Sequence, residues 1–469
     1  MSDFSGRSRV RQRQSVSKMR DQADSTLFFN ALTDEGMFEK LESLLPEYRE
    51  RVYTPTDTLS MFLAQALNAD RSCQSAVNEW FMSRQGSGLS QVSTNTGAFC
   101  RARKRLPIGM IEELVRHSGK QLTERLPAQW KWKGRDVMMV DGTTLSMPDT
   151  PQNQGVYPQP NTQQPGVGFP LCRLVGLLSL SGGAVIDVAF GPCEGKGSSE
   201  QGLLRKLLDN LKKGDVLLGD AFFPSFFLLW ALQSLGIDCL CEQMGGRKRS
   251  TDFRTGESLG SRDHLITYTK PKVKPDWLSQ SDYDAVPENL SVRELRVGKG
   301  KGAKGKILVT TLCCPKRYKK ADLKMLYQQR WHVELNFRHI KTTLGMDVLS
   351  CNTPEMIEKE IWIYLLAYNL IRTLMAQSAM HAGCLPNELS FKHSLQLWLA
   401  WGRHAQVDSH DSLMAMLKAI AQKRVGNRPG RIEPRLKKRR PKPYQWLKKP
   451  RQEARRDVIK HGHGTKLAA

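Results

Sequence analysis

Residues 327–341 read YQQRWHVELNFRHIK, and the spacing of their side chains predicts an amphipathic helix with one polar stripe. At about 100° per residue, five polar side chains fall on nearly the same side of such a helix. These five are Tyr327, Arg330, Glu334, Arg338 and Lys341. An apolar stripe lies on one side of them, and Trp331 and Leu335 lie on the other, so we expect buried positions on both sides. A carboxylate among cations at a groove indicates a functional site, and a ladder of internal ion pairs is the alternative.

Two aspartates earlier in the chain are candidates to join Glu334. Asp141 closes the apolar run VMMVD and Asp220 closes DVLLGD, so each follows a predicted strand. Strand ends bring distant parts of a chain together, and divalent ions require clustered carboxylate oxygens. Either aspartate taken alone is also typical of a turn or a helix cap. The three acidic residues are therefore candidate metal ligands, and a structural role in a turn or helix cap is the alternative for each aspartate.

The pattern of apolar residues divides the chain into three regions. Residues from about 25 to 127 have helical spacing, whereas short apolar runs closed by Gly, Asp or Pro follow from about 136. These runs predict three strands, a helix, a strand, a helix and a strand in a mixed sheet with crossovers, which is an α/β core. A long helix is expected from about 321 to 344. The predicted domains are a helical, DNA-binding N-terminal domain (1–130), an α/β core flanked by helices (131–350) with a β-rich inserted subdomain (246–305), and a helical C-terminal region with a basic tail (351–469).

The charge balance predicts a polyanionic partner. Lys and Arg number 71 against 46 Asp and Glu, which gives a net charge of +25. Residues 423–460 alone contribute +13, and a smaller basic arm lies at residues 7–20. The segment with Arg101, Arg103, Lys104 and Arg105 reads as a basic helix that could lie against DNA. Solvated tails and a solvated helix end are the alternatives, but nucleic acid is the favoured partner.

The patterns of cysteine, histidine and apolar residues indicate which metal or disulfide sites to expect and in which compartment the protein acts. The ten cysteines form no CxxC pair, so neither a zinc knuckle nor a disulfide framework is indicated, and a reduced intracellular protein is expected. The apolar stretches near 226–232 and 361–371 are too short for a bilayer, so we expect a cytoplasmic protein without a membrane partner. The histidines lack ligand spacing. His332 and His339 are expected to support Glu334 from behind or to face solvent.

The spacing of Tyr327, Arg330, Glu334 and Lys341 resembles a known signature. It is similar to the Tyr-Arg-Glu-Lys signature of the insertion-sequence-four family of bacterial DDE transposases. DGTT at Asp141 and GDAFF at Asp220 resemble the two aspartate motifs of that family. Asp220 lies 79 residues after Asp141, and Glu334 a further 114 residues on, in the interval where the family carries a β-rich insertion. The closing segment RPGRIEPRLKKRRPKPY also looks like a family C-terminus.

The resemblance implies a fold and a mechanism. The core would be RNase H-like, with two Mg²⁺ or Mn²⁺ ions held by Asp141, Asp220 and Glu334. One ion would activate the attacking water or 3′-hydroxyl, and the other would stabilise the leaving oxygen. The DNA-binding residues would be Tyr327, by a hydrogen bond to a phosphate, and the three cations Arg330, Arg338 and Lys341. Relatives free their element through a hairpin at its ends and join the 3′-ends to target DNA.

The resemblance also bears on base flipping and on assembly. Similar enzymes hold a flipped base against an aromatic side chain of the insertion, where Trp277 is the only tryptophan. It lies 57 residues before Glu334, farther than the family pattern leads us to expect, so packing inside the insertion is its expected role. The apolar segments after residue 351 suit either core packing or a subunit interface. By analogy we expect a homodimer on paired element ends, with the contact between about 385 and 425.

Three functions fit these observations. The leading one is a transposase that acts in the bacterial cytoplasm on double-stranded DNA of the nucleoid, at element ends and at the target. The alternatives are a catalytically inactive regulator of transposition and a domesticated nuclease with the same core. All three carboxylates are retained beside phosphate-binding cations, and a simple DNA-binding protein has no use for acids there. The sequence therefore favours the enzyme.

Overall fold

A computed structural model describes residues 43–44, 52–86, 92–195, 197–298, 305–404, 410–426 and 446–462. The basic arm at residues 7–20 lies outside the described residues. Residues 427–445, which form much of the predicted basic tail, also lie outside them.

The described residues build one mixed sheet. Its strand order is β3-β2-β1-β4-β5-β9-β8-β7-β6. The strands are β1 (Val137–Ser146), β2 (Leu171–Ser179), β3 (Val185–Pro192), β4 (Val216–Gly219), β5 (Asp238–Glu242), β6 (Glu257–Gly260), β7 (Asp263–Thr269), β8 (Asn289–Val297) and β9 (Lys306–Thr310). β1, β2 and β3 are antiparallel neighbours, whereas β4 and β5 run parallel to β1. The prediction of a mixed sheet with crossovers is therefore confirmed.

Helices cover both faces of this sheet. Side chains on both faces of the central strands are therefore buried, and these strands have continuous apolar sequences such as VMMV and VLLG. The helices are α1 (Pro55–Leu67), α2 (Cys73–Gly86), α3 (Thr96–Arg105), α4 (Ile108–Arg125), α5 (Pro151–Val156), α6 (Glu200–Arg205), α7 (Phe226–Ser234), α8 (Gly245–Ser250), α9 (Gln280–Ala285), α10 (Lys320–Gln328), α11 (Trp331–Arg338), α12 (Pro354–His381), α13 (Phe391–His404), α14 (His410–Gln422) and α15 (Arg451–His461). None of the helices in the described part of the chain is long and apolar enough to cross a membrane.

The inserted segment continues the core sheet. Its strands β6, β7 and β8 extend the core sheet, because β8 pairs with β9 and β9 pairs with β5. A buried ion pair fixes this extension. Arg293 on β8 donates to both carboxylate oxygens of Asp263 on β7, at 2.8 and 2.6 Å, and to the carbonyl of Tyr318 at 2.7 Å. The insertion is therefore tied to the chain just before α10.

Trp277 lies in the same inserted segment but contacts the core. Its ring meets Phe227 of α7 edge-on at 6.3 Å, and the guanidinium of Arg205 on α6 lies 4.1 Å from its centroid. The expected packing inside the insertion is therefore corrected, since the partners are core helices. The indole keeps 42% of its surface exposed.

The apolar helix α12 is buried within the chain. Asn369, at its centre, accepts from the N–H of Val185 at 2.8 Å and donates to the carbonyl of Val185 at 2.8 Å, on edge strand β3. The same amide donates to the carbonyl of Val115 and to the hydroxyl of Ser118, on α4. Of the two alternatives left by the sequence, core packing therefore accounts for residues 354–381.

The N-terminal helices share a core with the sheet. Leu59 and Leu63 of α1, with Leu114 of α4, belong to the same apolar cluster as β1 and α12. The basic helix α3 is only partly available to a ligand. Arg103 is buried, lies 4.8 Å over the Phe62 ring and donates to Gln65, whereas Arg101 and Lys104 are exposed. The expectation that all four cations of α3 could lie against DNA is corrected for Arg103.

The long helix expected from 321 to 344 is interrupted. The N–H groups of Gln329 and Arg330 bond to the carbonyls three residues before them, which makes a tight turn between α10 and α11. A π-turn, His339–Thr343, follows α11. The apolar stripe nonetheless faces the core as predicted: Leu326, Val333, Phe337, Ile340 and Leu344 are all buried.

Candidate active site

Strand register places Asp141 and Asp220 side by side. β1 and β4 are parallel and pair Met139 with Leu218, so the positions two residues further on, Asp141 and Asp220, lie level. Adjacent strands are about 4.8 Å apart. Because side chains alternate, both aspartates share the sheet face of Met139 and Leu218, which packs against α10 to α12. Two carboxylates are thus neighbours beneath those helices.

Asp141 does not close its strand as expected. β2 pairs with β1 as far as Ser146, so β1 continues past Asp141. Asp220 also has the turn role that the sequence left open, whereas Asp141 lies within the paired strand β1. Asp141 Oδ1 accepts from the N–H of Gly142 and Asp220 Oδ1 from the N–H of Phe222, both at 2.8 Å. These bonds orient the carboxylates and leave their second oxygens for other partners.

Arg330 links Glu334 to Asp141. Its Nη2 lies 2.5 Å from Glu334 Oε1, and its Nη1 lies 3.5 Å from Asp141 Oδ2. The break between α10 and α11 places Arg330 at the start of α11, one turn before Glu334. The structure therefore brings Asp141, Asp220, Arg330 and Glu334 together.

Ionisation of Asp141 is costly in this position. The pKa of Asp141 is raised to about 6, chiefly by burial and also by the nearby carboxylates of Asp220 and Glu200, although the Gly142 N–H and Arg330 lower it. A cation supplied to the site would favour the charged form.

Lys341 and Arg338 differ in their contacts. Lys341 Nζ donates to the hydroxyl of Thr143 at 3.0 Å and to the carbonyl of Thr144 at 2.8 Å, so it ties the π-turn to β1 beside Asp141. Burial lowers the pKa of Lys341. Arg338 is exposed, and its side chain has neither a hydrogen bond nor an ion pair among the described residues. Of the predicted phosphate-binding cations, Arg338 is the one most open to a ligand.

Tyr327 contacts Glu242 and none of the three candidate carboxylates. It is 6% exposed, and its hydroxyl donates to Glu242 Oε2 at 3.3 Å. Glu242 also pairs with Lys248 and Lys306. Burial and the Glu242 charge raise the pKa of Tyr327. The predicted hydrogen bond from Tyr327 to a phosphate remains a prediction, and it would compete with Glu242.

Of the side chains around Glu334, Trp331 differs from expectation, and His339 fits one of its two expected roles. Trp331 was expected at a buried position, but it is 48% exposed. His339 does not face solvent: its ring stacks on Phe391 at 4.8 Å, and burial, with Arg372 and Arg338, lowers its pKa to about 3. Burial also lowers the pKa of His332. Both histidines are therefore neutral near pH 7.

Glu200 is a fourth acidic residue that the sequence did not single out. It begins α6, and a Cβ placed on Gly142 would lie 2.4 Å from its Oε1, so Glu200 rests where Gly142 has no side chain. Burial raises the pKa of Glu200, and Asp220 raises it further. No local pattern marks Glu200, because its proximity to Gly142 depends on how α6 packs.

The donor chemistry of the site suits divalent ions. Mg²⁺ and Mn²⁺ prefer carboxylate oxygens, and Asp141, Asp220 and Glu334 supply them. Among the described residues, no group of three or more His, Cys, Asp or Glu side chains is arranged to hold a metal ion as it stands. The guanidinium of Arg330 lies between Asp141 and Glu334, which demonstrates that a positive charge is accepted there.

Comparisons with known proteins point in one direction. The family described as "Transposase DDE domain" matches residues 132–370. The chain is 27% identical over 358 residues to "Transposase InsG for insertion sequence element IS4" of Escherichia coli (strain K12), covering 74% of this chain and 77% of that protein. It is 26% identical over 140 residues to "Putative transposase InsZ" of the same organism, covering 30% of this chain and 46% of that protein.

A solved structure is also similar over much of its length. It is the cryo-EM structure of a piggyBac transposase synaptic complex with hairpin DNA, with a TM-score of 0.42 and 13% identity over 87% of each chain.

Proposed function

This chain belongs to the insertion-sequence-four family of DDE transposases, and on that premise we propose that Asp141, Asp220 and Glu334 are its catalytic carboxylates. The reaction is metal-dependent cleavage of DNA at the inverted ends of a mobile element, followed by joining of the excised element to target DNA. The hairpin route of the relatives is part of this proposal.

One observation carries the proposal. Asp141 and Asp220 are level on adjacent parallel strands, and Arg330 connects Asp141 to Glu334 on the helix above them. The sheet order, in which three antiparallel strands are followed by two strands parallel to the first, supports an RNase H-like core. A metal-dependent nuclease requires acidic side chains from distant parts of the chain at one site, and the link from Asp141 through Arg330 to Glu334 supports this assignment.

The metal supplies the chemistry that no side chain here provides. Asp141, Asp220 and Glu334 would hold Mg²⁺ or Mn²⁺, which would supply activation of the attacking oxygen and stabilisation of the leaving oxygen. The protein contributes position. Asp141 and Asp220 are oriented by backbone N–H groups, and Arg330 holds Glu334 toward them.

The cations around the carboxylates bind the DNA backbone in this proposal. Arg338 is exposed and takes a phosphate directly. Lys341 supports β1 through Thr143 and Thr144, and Arg330 shares its charge between Asp141 and Glu334. The homodimer on paired ends and the nucleoid location complete the proposal.

A nicking assay tests this function. The DNA is a plasmid that carries the gene with its own flanking sequences, incubated with the full chain and Mg²⁺. We expect the wild type to cut at both element ends and Asp220→Asn to lose at least a thousandfold in rate. The Asp220→Asn protein should still bind the ends, because loss of a negative charge does not weaken a phosphate contact.

The control is Asp209→Asn, which removes the same charge from an exposed position outside the site. It should cut like the wild type. Cleavage by Asp220→Asn at the control rate would refute the assignment of the second carboxylate. End binding by the wild type without cleavage would favour the inactive regulator instead.

A further inference from the structure

Glu242 lies at the centre of a second polar cluster beside the carboxylates. Lys306 Nζ is 2.7 Å from its Oε2, and Lys248 Nζ is 3.0 Å from its Oε1. The Tyr327 hydroxyl donates to Oε2 at 3.3 Å. The three donors come from β9, α8 and α10. We call Glu242, Lys248, Lys306 and Tyr327 the Glu242 cluster.

Strand register puts this cluster next to Asp220. β4 and β5 are parallel and pair Gly219 with Cys241, so the next positions, Asp220 and Glu242, are level. With Asp141 on the other side, the three acids form a row across three neighbouring strands, each about 4.8 Å from the next. A DNA strand that reaches Asp220 therefore passes within one strand spacing of the Glu242 cluster.

The cluster carries one positive charge in excess. Two ammonium groups face one carboxylate, and a phosphodiester carries one negative charge, so a single phosphate would neutralise the cluster. The lysines are also the accessible members. The side chains of Lys306 and Lys248 are 52% and 33% exposed, whereas that of Glu242 is 17% exposed. An anion that arrives from solvent meets the lysines before it meets Glu242.

The contacts on Glu242 are those that a phosphate would use. Two ammonium groups and a hydroxyl on the two oxygens of an anion match charge-assisted recognition of phosphate oxygens. Lys306 Nζ also lies 5.3 Å from the centroid of the Tyr327 ring, so the ammonium and the tyrosine are neighbours as well as partners of Glu242.

We propose that Lys248, Lys306 and Tyr327 form a binding site for a DNA backbone phosphate, and that Glu242 holds these donors in place of that phosphate when DNA is absent. The inference rests on the proposed function, because it requires DNA to lie across Asp141 and Asp220. Glu242 then lowers DNA affinity in exchange for keeping the donors in position.

The test compares variants of the full chain in binding to a fluorescent duplex of random sequence in EDTA, so that no cleavage occurs. Glu242→Gln keeps the size of the side chain and removes its charge. We expect its Kd to be at least threefold lower than that of the wild type. The slope of log Kd against log salt should steepen by up to about 0.9, the value for one further phosphate contact. Lys306→Met should raise Kd by a similar factor.

Matched controls use the ion pair of Lys212 with Glu124, at 2.5 Å. Lys212 lies before the start of β4 and Asp220 directly after its end, so this pair is at the opposite end of the strand from Asp220. Glu124→Gln and Lys212→Met make the same charge changes and should leave Kd within twofold of the wild type.

Each outcome decides the matter. If Glu242→Gln unfolds at the same urea concentration as the wild type and binds no more tightly than Glu124→Gln, the inference is wrong. If Glu242→Gln does not fold, the comparison of Lys306→Met with Lys212→Met decides, and equal affinities overturn the inference. If the wild type does not bind the duplex, both the proposed function and the inference are contradicted. If the wild type binds the duplex and Glu242→Gln has the same Kd, only the inference is contradicted.

Discussion

Asp141 holds its carboxyl group where ionisation costs stability. Burial raises its pKa to about 6 from an ordinary value of 3.8. For an acid whose pKa is raised by folding, the stabilisation is complete below the unfolded value and is lost as pH rises through the folded value. Between about pH 4 and pH 6 the folded protein therefore loses stability through Asp141 unless a cation is bound.

Replacement of Asp141 by asparagine should remove this loss. We expect the free energy of unfolding of Asp141→Asn, relative to the wild type, to rise by about 2 kcal/mol between pH 4.5 and pH 8, because only the wild type must ionise a buried acid. Urea unfolding in EDTA at the two pH values measures it. For Asp209→Asn, at an exposed position, the difference in free energy of unfolding from the wild type should be the same at both pH values. If the difference in free energy of unfolding between Asp141→Asn and the wild type does not change with pH, the raised pKa of Asp141 is contradicted.

At the residue scale, the sequence identified the acids but not all of their neighbours. Asp220 and Glu334 follow from a strand end and a helical stripe, which are local patterns. Glu242 closes DCLCE as Asp220 closes DVLLGD, so the same argument could have found it. Glu200 could not be found in this way, because it approaches Gly142 through the packing of α6.

The contact between α4 and β3 fixes how the N-terminal helices lie on the sheet. Gly119 of α4 faces the backbone of β3 so closely that a Cβ there would lie 2.1 Å from the carbonyl oxygen of Val185. The same carbonyl accepts from Asn369 of α12 at 2.8 Å. Three elements therefore meet at one peptide group, and only glycine fits on the helix side.

A methyl group at Gly119 should push α4 away from β3. We expect Gly119→Ala to lower the free energy of unfolding by about 1–3 kcal/mol, the usual cost of overpacking. Gly109→Ala is the control, because a Cβ at Gly109 of the same helix meets nothing within 4 Å. It should be neutral or slightly stabilising, since alanine favours a helix. Equal unfolding midpoints in urea for the two variants would show that the close approach is absent.

At the element scale, strands were easier to predict than their partners. The central strands are buried on both faces, and their apolar runs mark them clearly. The pairing of β9 with β5, which joins the insertion to the core sheet, is a long-range contact without a local signal. The break between α10 and α11 was missed because the apolar period of 320–344 continues through it.

The net charge of the whole molecule is unevenly spread along the chain. Residues 423–460 contribute +13 of the total of +25. Val425 still contacts the core, since its N–H bonds to the carbonyl of Glu388 at 2.7 Å, and Pro450 lies against Gly166, where a Cβ on the glycine would be 3.0 Å from the proline ring. The tail beyond residue 426 is therefore a candidate for sequence-independent DNA affinity.

Removal of residues 427–469 should weaken binding to any duplex. We expect the Kd for random DNA to rise at least tenfold near 0.1 M salt and the slope of log Kd against log salt to flatten, since fewer phosphates are neutralised. Fluorescence anisotropy over a salt series measures both. The truncated chain should still fold, because the contact of Val425 is retained, although the contact of Pro450 with Gly166 is lost. An unchanged salt slope would assign the tail to another task.

The predicted homodimer remains a prediction, but one of its arguments is now weaker. The apolar surplus of 354–381 is used inside the chain, where Asn369 joins α12 to α4 and β3. Leu395 and Trp398 of α13 are buried as well. The sequence could not separate these two uses, because core packing and subunit contact require the same residues.

In the proposed function, Asp141, Asp220 and Glu334 converge on one metal site. Affinity cleavage tests it directly: Fe²⁺ replaces Mg²⁺, and ascorbate with peroxide then generates hydroxyl radicals that cut the backbone near the metal. We predict cuts at three places, within β1 near Asp141, directly after β4 and within α11, all suppressed by excess Mg²⁺ and lost in Asp220→Asn. Cuts that miss one of these three segments, or that persist in Asp220→Asn, would contradict the claim.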